Sequence, residues 1–394
     1  MLLSNLGFVS VTWVFIWATL AFFNVAGNGD ISIYLYAYIL TYLLIFSISY
    51  STCNFYLKEK RFNVKEKPIN NRLVNYFFVL IILFLFLLSI KAFNLMTSMH
   101  IWDYRAKAFG DATESSVLFG SQVNRILYSI LVEGGVYFLQ YYFVSKYFIS
   151  GKLKNLILGC LGVTLMCFVM LGRSPIYYYL LIFIFAYFRL NPKNIFRAFV
   201  ISIVAILLLY FATYFRSGGG VDFISFLNQY LIGYHTYGFN LLNYRLDFTT
   251  LDTLWFGQAT LGSFSYFFLY IFEKAFDIDI LYFMDEAYTI KQHFVVLDSG
   301  QEANAFYTIF YDMYKDFFWF GPIIFGIIFG MIFSFFNRLS LVSNNIYIIM
   351  LYFWLLNISF AMIFRNPFAT NGYVGFLIYM IVFYFLSNTK FRKI

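Results

Sequence analysis

The chain has 394 residues, of which 62% are hydrophobic, 24% aromatic and only 12% charged, with a formal net charge of +8. A soluble fold of this size has no interior large enough for so much apolar surface, so the composition points to an integral membrane protein. Apolar runs of about twenty residues recur, the length a helix needs to cross a bilayer, and the ten-residue alternation of a β-barrel is lacking.

The first run, Leu6 to Val25, has no Lys or Arg before it and no small-residue cleavage site, and reads as a retained span. A turn at Ala26 to Asp30 leads into a second span, Ile31 to Tyr56. Lys58 to Arg72 then holds six basic and two acidic residues, which marks a cytoplasmic loop by the positive-inside rule. Spans are predicted next at Leu73–Ile90 and Val123–Ser145, around an amphipathic stretch from Lys91 to Gln122. After a basic loop (Lys146, Lys152, Lys154), spans at Asn155–Leu171 and Ile176–Phe188 are joined by Gly-Arg-Ser-Pro. Arg189, Lys193 and Arg197 make a third basic loop before a seventh span, Ala198–Phe215.

Residues 216–317 interrupt this pattern with twelve of the nineteen acidic residues against five basic ones. Spans at Phe318–Phe336, Ile346–Phe364 and Gly372–Leu386 complete the chain, with Arg338, Lys390, Arg392 and Lys393 at cytoplasmic positions. Sixteen basic residues against two acidic ones then face the cytoplasm, and eleven against seventeen lie elsewhere. The asymmetry puts both termini inside, with ten spans. It also accounts for the net charge without nucleic acid. The expected fold is an all-α polytopic membrane protein in three parts: residues 1–215 with seven spans, an external loop at 216–317, and residues 318–394 with three spans. Two apolar stretches in the loop, Phe223–Leu242 and Phe256–Phe272, are read as interfacial or re-entrant; were both to cross, the count would be twelve.

Three arginines break the basic-inside pattern from short outer turns: Arg173, Arg216 and Arg365. A guanidinium fork suits phosphate oxygens, so these are candidate diphosphate ligands, with snorkelling to lipid headgroups as the plainer alternative. Gly218 and Gly219 follow Arg216, where bare backbone N–H groups can turn toward an anion. Asp222 reads as a helix cap or a base. His235 titrates near neutrality and is a candidate general base. Tyr230, Tyr234 and Tyr237 fall on one helical face, as a stacking surface for sugars or an interfacial aromatic belt. Glu133 is a carboxylate inside the fourth span, where an ionisable group marks function or a buried partner such as Arg125.

Several signals read as structural. Asp316 enters the eighth span where an acid favours the helix dipole, and Gly326 and Gly330 form a small-xxx-small packing pair. Cys53, Cys160 and Cys167 lie in spans and suggest no disulfide framework or metal cluster. Asp277-Ile-Asp279 matches an Asp-x-Asp metal motif but falls on the outer side, away from nucleotide sugars. No metal or cofactor is expected.

With Gly172-Arg173-Ser174-Pro175 before the sixth span, Arg216-Ser217-Gly218-Gly219 opening the external loop, and Asn304 through Asp316 ahead of Gly321, the layout resembles the Wzy-type O-antigen polymerases. In this chain Asp316-Phe-Phe-Trp-Phe-Gly321 is longer than the family's Asp-Phe-Gly-like run. The resemblance implies a metal-independent glycosyltransferase in the bacterial cytoplasmic membrane. Its donor and acceptor would be undecaprenyl-diphosphate-linked oligosaccharides, and its partners a flippase and a chain-length regulator. A lipid-linked oligosaccharide transporter, which ought to show internal repeats, an O-antigen ligase, a membrane acyltransferase (His100 and His293 lack context for its catalytic histidine) and a non-catalytic partner are the competing readings.

Overall fold

The computed structural model describes residues 5–58, 69–99, 117–172, 174–190, 222–246, 254–277, 295–300, 302–303 and 308–388, with isolated positions between 103 and 108 and between 196 and 220. The chain opens with α1 (Leu6–Phe22), α2 (Ile33–Lys58) and α3 (Asn71–Ser98). A continuous helical run follows: α4 (Gln122–Leu127), a π-helical segment (Tyr128–Glu133) and α5 (Gly134–Ser150). Then come α6 (Leu153–Met170) and α7 (Ser174–Leu190). Within the acidic segment 216–317, one turn at Phe223–Ser225 and a second π segment (Phe226–Gly233) run into α8 (Tyr234–Arg245). Next are α9 (Gln258–Leu261), α10 (Ser263–Phe276), a two-stranded antiparallel hairpin of β1 (Val295–Val296) and β2 (Glu302–Ala303), and α11 (Ile309–Phe317). The last helices are α12 (Gly321–Val342), α13 (Ile346–Ala361) and α14 (Asn371–Asn388).

Four helical runs are long and apolar enough to cross a membrane: Ile33–Lys58, Asn71–Ser98, Leu153–Met170 and Ile309–Val342. Leu6–Phe22, Ser174–Tyr187, Ile346–Ala361 and Asn371–Ser387 are shorter apolar helices. Val79, Leu80, Leu83, Phe84, Phe86 and Leu87 of α3 are all exposed, a continuous apolar surface that suits lipid and not water. The protein is helical, with several helices fit to span a bilayer. The predicted span at Val123–Ser145 is helical throughout but π-wound in its middle, and most of the predicted span at 198–215 lies outside the described residues.

The chain folds into two compact units. The first is built from Met1–Phe62, Lys193–Leu341 and Leu355–Thr370, and the second from Asn63–Pro192, Val342–Trp354 and Asn371–Ile394. In the first, the small residues of α12 set its contact with α2. A Cβ on Gly330 would stand 2.8 Å from the Phe46 carbonyl oxygen, and one on Gly326 would stand 3.2 Å from the Phe46 nitrogen. Helices without large side chains approach closely and gain dispersion contact along their backbones. Polar bonds fasten α1 to the same unit: Leu6 N–H to Asn337 Oδ1 at 3.2 Å, and Ser10 to Ser359 at 2.6 Å between hydroxyls.

In the second unit, α14 lies against the run α4–π–α5 through two glycines. A Cβ on Gly134 would meet Gly375 Cα at 2.6 Å, and one on Gly375 would collide with the Ile130 carbonyl. A π turn shifts the carbonyl pattern of a helix, and here Tyr379 donates its hydroxyl to the Leu131 carbonyl within that turn, at 2.9 Å.

Candidate functional site

In the first unit two of the predicted site residues, His235 and Arg365, meet at the turn that follows α13. His235, near the start of α8, stacks on Trp17 of α1 with ring centroids 3.9 Å apart. Trp13 meets it edge-on at 5.6 Å, and Phe364 at 4.8 Å and 61°. Its Nδ1–H donates to the Leu231 carbonyl, which accepts it one turn back. His235 is only 3% exposed. Burial lowers its pKa from the usual 6.5 to about 4, against a smaller opposing pull from the Leu231 carbonyl. The imidazole is thus neutral and enclosed by aromatic rings, and its contacts hold Phe364 in place.

Phe364 is followed by Arg365, whose backbone N–H donates to the Ala361 carbonyl at 3.0 Å. The next residue, Asn366, is buried. Its amide donates to the carbonyls of Ala259 (2.7 Å) and Thr260 (3.1 Å), and its Oδ1 accepts the Phe368 N–H at 2.9 Å. Asp316, at the end of α11, holds the same short helix α9 from its donor side. Its carboxylate accepts the N–H groups of Ala259 (2.9 Å) and Thr260 (2.7 Å). Both backbone polarities of Ala259–Thr260 are therefore satisfied by two buried side chains. Sequence spacing suggested that Asp316 served the dipole of its own helix; the structure shows it capping a different one.

A break separates α9 from α10 at Gly262 (φ +50°), where a Cβ would stand 2.7 Å from the Ala369 backbone. Only glycine fits both the dihedral and the approach. The apolar stretch predicted around Phe256–Phe272 is thus a broken helix clamped to the Arg365 turn. This matches the way non-helical backbone is tolerated when protein supplies its hydrogen bonds.

The remaining predicted residues of this unit lie on the run before and along α8. Asp222 is exposed and caps the first turn, accepting from Ser225 N–H (2.9 Å) and Ser225 Oγ (2.6 Å). Those two bonds hold its carboxyl below the usual carboxylate range. Tyr234 and Tyr237 pair at 5.4 Å and 41°, but Tyr237 is buried and Tyr234 half-buried. Tyr230 belongs to the π segment, with its side chain outside the described residues. Because the segment up to Gly233 is π-wound, spacing for an ordinary helix does not set the register of the three rings.

Glu133 lies in the second unit as the last residue of its π segment. It is half-buried, and Ser129 Oγ donates to its Oε2 at 2.7 Å. Both Glu133 Cβ and the Tyr137 ring border Gly372, at 3.2 and 2.7 Å from where a Cβ would stand. In the same unit α6 ends with Leu171 in the left-handed conformation (φ 45°) and Gly172 N–H bonded to the Cys167 carbonyl. Arg173 follows directly but lies outside the described residues, as do Arg216, Gly218, Gly219 and Asn304.

Reading the sequence missed Trp13 and Trp17, Asn366, the true partner of Asp316, and Tyr128 beside Glu133. No short motif announces them. The visible hints were the glycines at the π ends (Gly134-Gly135 and Gly233) and the Arg-Asn-Pro turn itself. The chain matches no protein-family model, and neither curated proteins nor solved structures offer a match.

Proposed function

We propose that the chain is a polysaccharide polymerase, joining undecaprenyl-diphosphate-linked oligosaccharide repeat units at the outer face of a bacterial cytoplasmic membrane. It does so as a protein of ten spans with both termini inside. The observation that carries this reading is the braced backbone of the turn that bears Arg365. By the charge asymmetry of the sequence that turn is an outer helix end, where an arginine breaks the basic-inside pattern. The turn that bears it is braced by the His235–Phe364 contact and by the Asn366 and Asp316 bonds to α9. Bracing of this kind preorganises a charge for an anionic leaving group.

In the reaction, an acceptor hydroxyl attacks the anomeric carbon of the donor. The new C–O bond forms as the bond to the diphosphate breaks, and the diphosphate leaves with the electron pair. Arg173, Arg216 and Arg365 are assigned to the diphosphates. Among the base candidates, the environments favour Glu133, a half-buried carboxylate oriented by Ser129. His235 is shut in by rings and acts by placing the turn, while Asp222 serves as a helix cap. Proton transfer needs a group that can reach the hydroxyl.

Deletion of the gene followed by glycan analysis tests the reading. A polymerase mutant displays a single repeat unit on its carrier or core, whereas a complete loss of surface glycan points to a flippase or ligase. Full polymer length in Arg216→Ala or Arg365→Ala, at wild-type protein level, would remove the cation assignment.

A further inference from the structure

The second unit contains a buried hydroxyl with no hydrogen-bond partner among the described residues, that of Tyr128. The residue is 5% exposed. Native folds leave few such groups, and each calls for a water, an ion or a ligand. The surroundings narrow the choice. Tyr128 opens the π segment that Glu133 closes, and Glu133, Tyr137, Tyr104 and Cys167 all lie within electrostatic reach of its hydroxyl. Tyr104 is already committed, donating to the Val169 carbonyl at 2.7 Å. Ser129 fixes the Glu133 carboxylate from one side. Phe119 lies over Tyr128 at 4.7 Å, and Tyr137 packs against Tyr373 at 5.0 Å.

One carboxylate, one unpaired phenol and flanking aromatic rings favour a neutral polyol. The carboxylate accepts from hydroxyls and repels anions, while the phenol both donates and accepts. A hard cation would take more than one carboxylate or carbonyl oxygen and has no use for a phenol donor. Aromatic faces suit the C–H side of a sugar ring. We propose that Tyr128 and Glu133 form a hydroxyl-binding subsite for a carbohydrate ring, next to the start of α14. The inference deepens the polymerase reading by giving Glu133 a companion on the acceptor sugar, and only that assignment to the acceptor rests on it.

The test uses the purified full chain in lipid nanodiscs, with methyl α-glucopyranoside and methyl α-galactopyranoside as probes and choline as a non-sugar control. Saturation-transfer NMR is expected to show transfer to glycoside ring protons and none to choline. Tyr128→Phe weakens glycoside binding about 2- to 10-fold, the worth of one neutral hydrogen bond, and Glu133→Gln weakens it at least as much. Tyr128→Phe also keeps or raises the thermal midpoint, because the group removed has no hydrogen-bond partner among the described residues. A hydroxyl that held the fold through a trapped water would lower that midpoint. The proposal fails if neither glycoside receives saturation, if transfer is unchanged in Tyr128→Phe, or if that variant melts earlier with binding intact.

Cellular assays separate this inference from the function. Full-length polymer in Tyr128→Phe at wild-type protein level removes the assignment of the subsite to the acceptor sugar and leaves the polymerase reading standing. Glycoside binding through Tyr128, in a chain whose deletion leaves surface glycan unchanged, removes the polymerase reading and keeps the subsite.

Discussion

At the scale of single residues, His235 and Asn366 illustrate how burial decides a role. A histidine in an acidic, tyrosine-rich segment invites a catalytic reading, yet two tryptophans and Phe364 enclose this one. The consequence is a pH dependence of stability. Above pH 6.5 the imidazole is neutral in folded and unfolded chains alike, and contributes no slope. Between 6.5 and about 4 the unfolded chain takes up a proton that the folded chain refuses, so stability falls as pH falls through that window. Thermal midpoints measured from pH 7.5 to 4 are expected to drop more steeply for the wild type than for His235→Phe, which keeps the ring and removes the titration. Parallel curves would count against the buried neutral imidazole. Asn366→Ala strips the donors from the carbonyls of Ala259 and Thr260 and leaves them buried. It is expected to cost about 1–3 kcal/mol, read as an earlier unfolding transition in detergent. The Arg-Asn-Pro turn was visible in the sequence as a cationic turn, but nothing in its neighbours announces a partner more than a hundred positions away.

At the scale of elements, helix existence was legible and helix quality was not. Apolar run length predicted α1, α2, α6, α7, α13 and α14 closely, because a bilayer demands about twenty apolar residues whatever their neighbours, whereas α3 continues past the predicted Ile90 to Ser98 and α12 past the predicted Phe336 to Val342. The π turns at Tyr128–Glu133 and Phe226–Gly233 were invisible, since they depend on what packs against them. Gly375 shows the cause: α14 comes so near the first π turn that a methyl group has no room. Gly375→Ala is therefore expected to destabilise the second unit by about 1–3 kcal/mol or more through overpacking against backbone. Tyr379→Phe, which removes one bond to Leu131 O, is expected to cost about 0.5–1.5 kcal/mol. Thermal unfolding of both variants in one detergent tests the ranking, and a Gly375→Ala protein as stable as the wild type would deny the close approach.

At the scale of the whole molecule, charge distribution is the strongest evidence and makes a topological prediction. With the native cysteines replaced, Asp30→Cys should react with a membrane-impermeant maleimide on intact cells. Ser150→Cys, at the last residue of α5 in the predicted basic loop, should react only after permeabilisation; both positions are exposed in the fold. Labelling of both from outside would overturn the orientation. The sequence by itself determined the membrane class, most of the helices, the expected orientation and the acidity of residues 216–317. These depend on composition and local run length, which every residue reports independently. The tertiary structure alone decided that the chain folds as two compact units, each assembled from separate stretches of sequence. It also decided that Asp316 and Asn366 clamp a broken helix, that His235 is sealed among rings, and that Tyr128 keeps a hydroxyl without a hydrogen-bond partner among the described residues. Each is a relation between segments far apart in the chain, fixed by close packing and by the need to satisfy buried polar groups, and no local pattern encodes it.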